Sequence, residues 1–438
     1  MLLNAADKAL WRLALPMIFS NITVPLLGLV DTAVIGHLDS PVYLGGVAVG
    51  ATATSFLFML LLFLRMSTTG LTAQAWGAKD PQRLAWALVQ PLALALGAGV
   101  LIILLRLPLI DLALHIVGGS EAVLEQARRF LEIRWLSAPA SLANLVLLGW
   151  LLGVQYARAP VILLVVGNLL NIVLDLWLVM GLRMNVQGAA LATVTAEYAT
   201  LIIGLLMAKR VLTLRGVSLA MLKNAWRGDL RRLLALNRDI MLRSLLLQLC
   251  FGALTVFGAR LGSDIVAVNA VLMTMLTFTA YALDGFAYAV EAHSGQAYGA
   301  RDGSQLLEVW RAACRQSGMV ALAFALIYSL AGQYIIALLT SLPSLQQLAD
   351  RYLIWQTILP VVGVWCYLLD GMFIGATRGA EMRNSMAVAA AGFAVTLLTL
   401  PVLGNHGLWL ALAVFLALRG LSLALIWRRH WRRGTWFS

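Results

Sequence analysis

Six acidic residues stand inside or at the ends of long apolar runs: Asp31, Asp175, Glu197, Asp284, Glu291 and Asp370. A charge at the centre of a bilayer costs about 2.5–3.5 kcal/mol even on the lenient insertion scale, so such carboxyls are expected to face a cavity, to pair, or to hold a proton. The chemistry open to them is proton loading and release, because desolvation disfavours the charged form and moves the exchange toward physiological pH. Asp31 lies in LVDTAVIGHL, in the expected outer half of the first apolar run, which also carries Pro16 and Pro25. Each proline removes a backbone hydrogen bond, so this element is expected to bend. A neutral Asp31 bonded to a backbone carbonyl would be the structural alternative.

In VVGNLLNIVLDLWLV, Asn168, Asn171 and Asp175 recur at i, i+3 and i+7 and share one helical face, and Thr193 and Glu197, four apart, share another. These residues could line a polar cavity beside Asp31, although interhelical hydrogen bonding would account for the Asn and Thr as well. Asp284 and Glu291, seven apart in YALDGFAYAVEAHSG, and Asp370 in YLLDGMFIGATRG form a second set. Arg65 in FLRMSTTG is an intramembrane cation that should be paired, as likely for structure as for function. Gln74, Gly77, Asp80 and Pro81 read as a helix exit, an N-cap and a proline at the first helical position. His37, His115, His293, His406 and His430 are scattered, and Cys250, Cys314 and Cys366 show no metal or disulfide spacing. No catalytic constellation and no phosphate loop stand out, so an ion gradient and not ATP is the expected energy source.

The elements that must position these residues follow from composition. Of 438 residues 61% are hydrophobic and 12% charged, against the roughly 25% charged of a soluble domain. With a mean hydropathy of +0.87 the chain is expected to dissolve in lipid. A spanning helix needs about 20 apolar residues. Apolar runs place twelve spans near 10–37, 44–66, 84–105, 130–153, 160–181, 187–208, 237–260, 265–292, 312–331, 350–376, 384–402 and 407–427. The opening MLLNAADKALWRLALP reads as a retained first helix. With the N-terminus inside, 22 of the 32 Lys and Arg fall on the inner side and six on the outer, which is expected to hold both termini in the cytoplasm. The net charge of +12 is dispersed, so nucleic acid is not an expected partner.

The longest basic connection, Lys209 to Arg238, falls at mid-chain. At a shift of 222 the two halves match: Gln74, Gly77 and Asp80 meet Gln296, Gly299 and Asp302; Gly149 and Gly153 meet Gly371 and Gly375; Gly36 meets Gly258. An internal duplication follows. The expected organisation is a first lobe over 1–208, a cytoplasmic linker over 209–236, and a second lobe over 237–438. Each lobe has six helices, and the two parallel repeats face a central cleft.

The chain resembles the multidrug and toxic compound extrusion family, in its DNA-damage-inducible branch. The resemblance rests on LPMIFSNITVPLLGLVDTAVIGHL, LRMSTTGLTAQAWGAKD, NIVLD and YALDGFAYAVEAHSGQAYGARD, and it spans nearly the whole sequence. It implies an all-α, V-shaped pair of six-helix lobes in a bacterial cytoplasmic (inner) membrane, monomeric, exporting amphipathic, often cationic, compounds in exchange for H⁺ or Na⁺. Asp31 matches the family's first-helix carboxylate, and Asn171 and Asp175 match its helix-5 partners. Thr193 approximately matches a helix-6 polar position, and Asp370 a helix-10 carboxylate used in cation binding by the sodium-coupled branch. Where that branch has a helix-7 Glu, this chain has Leu247 or Gln248. A hard cation prefers several charged or carbonyl oxygens, so proton coupling is favoured over sodium. No cofactor is expected. The competing readings are a flippase for lipid-linked precursors, which a lateral cationic cleft and additional spans would favour, and an intramembrane enzyme, which paired catalytic groups would favour.

Overall fold

The computed structural model describes residues 4–36, 38, 40–217, 222 and 230–438; within the first helix the side chains of 24–33 and 36 lie outside the description. Among the described residues the chain is helical, without strands. The first half comprises α1 (Ala5–Gly36), α2 (Pro41–Leu60), α3 (Phe63–Gly77), α4 (Pro81–Leu104), α5 (Arg106–Val117), α6 (Glu121–Arg134), α7 (Ala138–Gly153), α8 (Ala159–Asp175) and α9 (Asn185–Leu214). The second comprises α10 (Leu230–Leu261), α11 (Ser263–Ala300), α12 (Gly303–Leu339), α13 (Pro343–Gly375), α14 (Gly379–Thr396) and α15 (Asn405–Arg433). Eleven helices or helix pairs among the described residues, from Pro41–Gly77 to Asn405–Arg433, are long and apolar enough to cross a membrane. Each falls on an expected span, and the expected first span falls on α1. Large apolar side chains stand open on the outside, Leu338 and Val402 both at 87% exposure, where lipid would cover them.

Caps and prolines set the helix starts. Ser40 and Asp80 accept from backbone N–H groups of α2 and α4, and in both cases Pro opens the helix. The internal repeat is visible at atomic detail. A Cβ on Gly149 would lie 2.5 Å from the Arg65 carbonyl oxygen, and a Cβ on Gly371 would lie 2.7 Å from the Ala287 carbonyl oxygen. Gly153 approaches Thr72 and the Thr69 carbonyl, and Gly375 approaches Ser294 and the Glu291 carbonyl. All these pairs differ by the same 222 residues, so α7 on α3 and α13 on α11 repeat one crossing, which only glycine permits at that separation. The turns repeat too: Lys79 and Arg301, and likewise Gln155 and Thr377, occupy left-handed backbone conformations at corresponding places. Asp302 caps α12 as Asp80 caps α4.

Two compact units divide the chain, Met1–Asn21 with Ala235–Ser438, and Ile22–Leu234. The second boundary lies inside the expected 209–236 linker. The first differs from the expected 1–208 lobe, because residues 1–21 belong with the second unit. Trp11 Nε1 donates to Gln316 Oε1 at 2.9 Å and sets its ring edge-on to Phe286. Asp7 pairs with Arg315 at 3.0 Å, His293 Nε2 meets the Ala9 carbonyl at 3.2 Å, and Asn21 Nδ2 donates to the Tyr281 carbonyl at 3.1 Å. Ile18 sits against Gly285, where no Cβ would fit. The apolar core of the second unit includes Leu272, Met275, Phe393, Trp409 and Phe415, with Asn269 and Asn405 joined through a reciprocal amide pair that also receives Trp409 Nε1.

Candidate functional site

In the first-half unit, α8 carries Asn171 and Asp175 at i and i+4, and both side chains are withdrawn from solvent, Asp175 to 0% exposure. Thr193 of α9 donates its hydroxyl to Asn171 Oδ1 at 3.3 Å and to the Ala189 carbonyl at 3.2 Å. This joins the expected helix-5 and helix-6 positions. Asn168 is only half-buried, so the expected stripe narrows to its last two members. Asp175 is the final α-helical residue before a π-helical turn over Leu176–Gly181, in which Leu182 N–H reaches back to the Trp177 carbonyl at 2.9 Å. Wide turns of this kind recur at functional sites, because they re-aim the side chains beside them. Gly188 lets the start of α9 press on that turn: a Cβ there would lie 3.1 Å from the Leu178 carbonyl.

Glu197, one turn beyond Thr193, is half-buried and joins a separate link, in which Asn144 Nδ2 of α7 donates to its Oε2 at 3.0 Å and to its backbone carbonyl at 3.1 Å. Arg65 is buried in α3 and donates to Thr69 Oγ1 at 3.3 Å. Asp31 lies in the helical backbone of α1, but its side chain is outside the described residues, as is His37.

The second unit holds a charge cluster whose pairing the sequence did not reveal. Asp370 Oδ2 accepts from Arg243 Nη2 at 2.6 Å and from Arg419 Nη2 at 2.5 Å, and all three side chains are buried. Asp370, expected as a secondary cation-coupling carboxylate, is thereby engaged by two guanidiniums. One carboxylate between two fixed cations has little left to offer a further cation. The signal was present as three lone charges in apolar helices, α10, α13 and α15, each of which needed a partner. Glu291 is buried and Asp284 half-buried on α11.

The sequence pattern of one family, described as MatE, matches residues 16–177 and again 240–403, one match in each repeat. The chain belongs to the MatE family. It is a transporter and not an enzyme. It is 87% identical over 436 residues to DNA damage-inducible protein F of Escherichia coli (strain K12), covering 100% of this chain and 95% of that protein. It is 23% identical over 431 residues to the probable multidrug resistance protein NorM of Acinetobacter baylyi (strain ATCC 33305 / BD413 / ADP1), covering 96% and 94% of the two chains. A crystal structure of a MATE in the bent conformation has the same fold, with a TM-score of 0.84 at 23% identity over 98% of this chain and 96% of that one. A multi-pass membrane protein is therefore established by family and fold together.

Proposed function

We propose that this MatE protein is a secondary active multidrug exporter that exchanges H⁺ for amphipathic, often cationic, organic compounds by alternating access. The reading is carried by one observation: a carboxyl, Asp175, fully withdrawn from solvent beside Asn171 and Thr193, at the point where α8 widens into a π turn. In low dielectric such a carboxyl exchanges its proton in concert with any second acid close by, and Asp31 on α1 belongs to the same unit. Protonation removes charge that would otherwise hold a cationic substrate. Asp31 is the principal coupling residue in this reading, with Asn171 and Asp175 as partners and Asn168, Thr193 and Glu197 lining the cavity.

Sodium coupling is the second reading. Against a sodium site in the second unit stands the engagement of Asp370 by Arg243 and Arg419, together with Leu247 and Gln248 where a helix-7 carboxylate would be needed. The protein acts as a monomer in a bacterial cytoplasmic membrane, with both termini inside. Purified protein in liposomes, given a pH gradient or a sodium gradient in separate experiments, tests the coupling ion: drug movement driven by the sodium gradient alone would replace the proton reading.

A further inference from the structure

Within the first-half unit a cavity of about 210 Å³ is lined by Leu71, Arg83, Trp86, Ala87, Gln90, Pro91, Arg232 and Leu233. Among the described residues its wall carries two guanidiniums and no carboxylate. Arg232 is anchored, donating to Gln74 Oε1 at 3.1 Å. The guanidinium of Arg83 has no hydrogen bond or ion pair with any described residue; Asp80, its nearest acid in sequence, accepts instead from the backbone N–H groups of Gln82 and Arg83 as the N-cap of α4. One helical turn on, the indole N–H of Trp86 is shielded from solvent and has no acceptor among the described residues. Pro91 has no N–H to give to the Ala87 carbonyl, so the helical ladder lacks one bond at this wall.

Two like charges sharing one small cavity repel a cation, which separates this cavity from the exported compounds of the reading above. They favour an anion, and an arginine with its fork unused matches the paired oxygens of a phosphate group. The remaining wall, Leu71, Trp86, Ala87, Pro91 and Leu233, is apolar. We propose that this cavity binds a phosphate ester whose other end is apolar or uncharged, gripped by Arg83 and Arg232. The same phosphate chemistry is offered by the headgroup of an anionic phospholipid and by a free phosphorylated metabolite. The amphipathic wall makes the lipid headgroup the expected source.

The test is the thermal unfolding midpoint of the full chain in detergent, titrated with dioleoylphosphatidylglycerol, dioleoylphosphatidylcholine, glycerol 3-phosphate or inorganic phosphate. Phosphatidylglycerol is expected to raise the midpoint saturably and phosphatidylcholine is not. Arg83→Gln is expected to weaken the apparent affinity about tenfold, the worth of one charge-assisted contact, with Arg83→Lys falling between. The Arg83 guanidinium has no hydrogen bond or ion pair with a described residue to lose, so its variants should fold; Arg428→Gln with Arg429→Gln, far along the chain, controls for general surface charge and should leave the shift intact. A shift with glycerol 3-phosphate or phosphate equal to that with the lipid would assign the site to a free anion and uphold the phosphate chemistry. The proposal fails if no phosphate probe acts beyond phosphatidylcholine, or if Arg83→Gln and the double variant with Arg232→Gln keep the whole shift.

Discussion

Asp370 holds two guanidiniums through a single oxygen, and the arithmetic of that cluster makes a directional prediction. Removing one arginine leaves a one-to-one pair, whereas removing the carboxylate leaves two buried cations facing each other. Asp370→Asn should therefore cost about 3–5 kcal/mol of stability, and Arg243→Gln clearly less. Thermal unfolding of the two variants side by side checks the order, and a larger loss for Arg243→Gln would mean that Asp370 is not the group that neutralises both arginines. At the first-half site Asp31→Asn, which imitates the protonated acid, should fold normally yet fail to couple export to a pH gradient in liposomes; full pH-driven transport by that variant would send the search elsewhere. Asp284→Asn and Glu291→Gln should be better tolerated if coupling rests on the first-half carboxyls as proposed, since in their own unit Asp370 is already engaged by Arg243 and Arg419. Helical period puts Asn171 and Asp175 on one face of their helix and Thr193 on a face with Glu197, but the bond between Thr193 and Asn171 could not be read from it. Nor could the partners of Asp370, since they lie 127 and 49 residues away and nothing local selects them.

Helix crossings explain why the 222-residue offset can be read in glycines at all. Side chains facing lipid can drift so long as they stay apolar, but a position where two backbones touch admits glycine and little else. Gly149→Ala and Gly371→Ala should each destabilise by about 1–3 kcal/mol, by forcing a methyl into a carbonyl of the neighbouring helix. Gly97→Ala and Gly318→Ala, with nothing within 4 Å, should be neutral or stabilise by up to about 1 kcal/mol. Unfolding midpoints of these four variants in one detergent give the comparison, and equal losses at all four positions would remove the crossing from the explanation. The π turn after Asp175 left no trace in the sequence, for a simple reason. Leu178 and Val179 continue the buried stripe three and four residues on, as an ordinary helix would, so one widened turn leaves the hydrophobic period unbroken.

At the scale of the chain, hydropathy and charge placed the helices well, because lipid imposes a length and forbids unpaired backbone. The same bias of 22 basic residues to six predicts that a reporter fused after Ser438 is active only on the cytoplasmic side; activity on the outer side alone would refute the span count. What hydropathy could not show is which neighbours a helix chooses, and α1 is the case in point. Its residues up to Asn21 complete the unit built from Ala235–Ser438, although more than two hundred residues of chain intervene. The expected consequence is that a break in the connection at 209–236 is tolerated. If the polypeptide were made as two separate fragments broken in that stretch, the N-terminal fragment would still carry Asp7, Trp11 and Ile18, the pieces that Arg315, Gln316 and Gly285 require. The fragments should find each other and purify together. Trimming the first 21 residues from the N-terminal one should break that complementation while leaving the intervening helices with their own core intact.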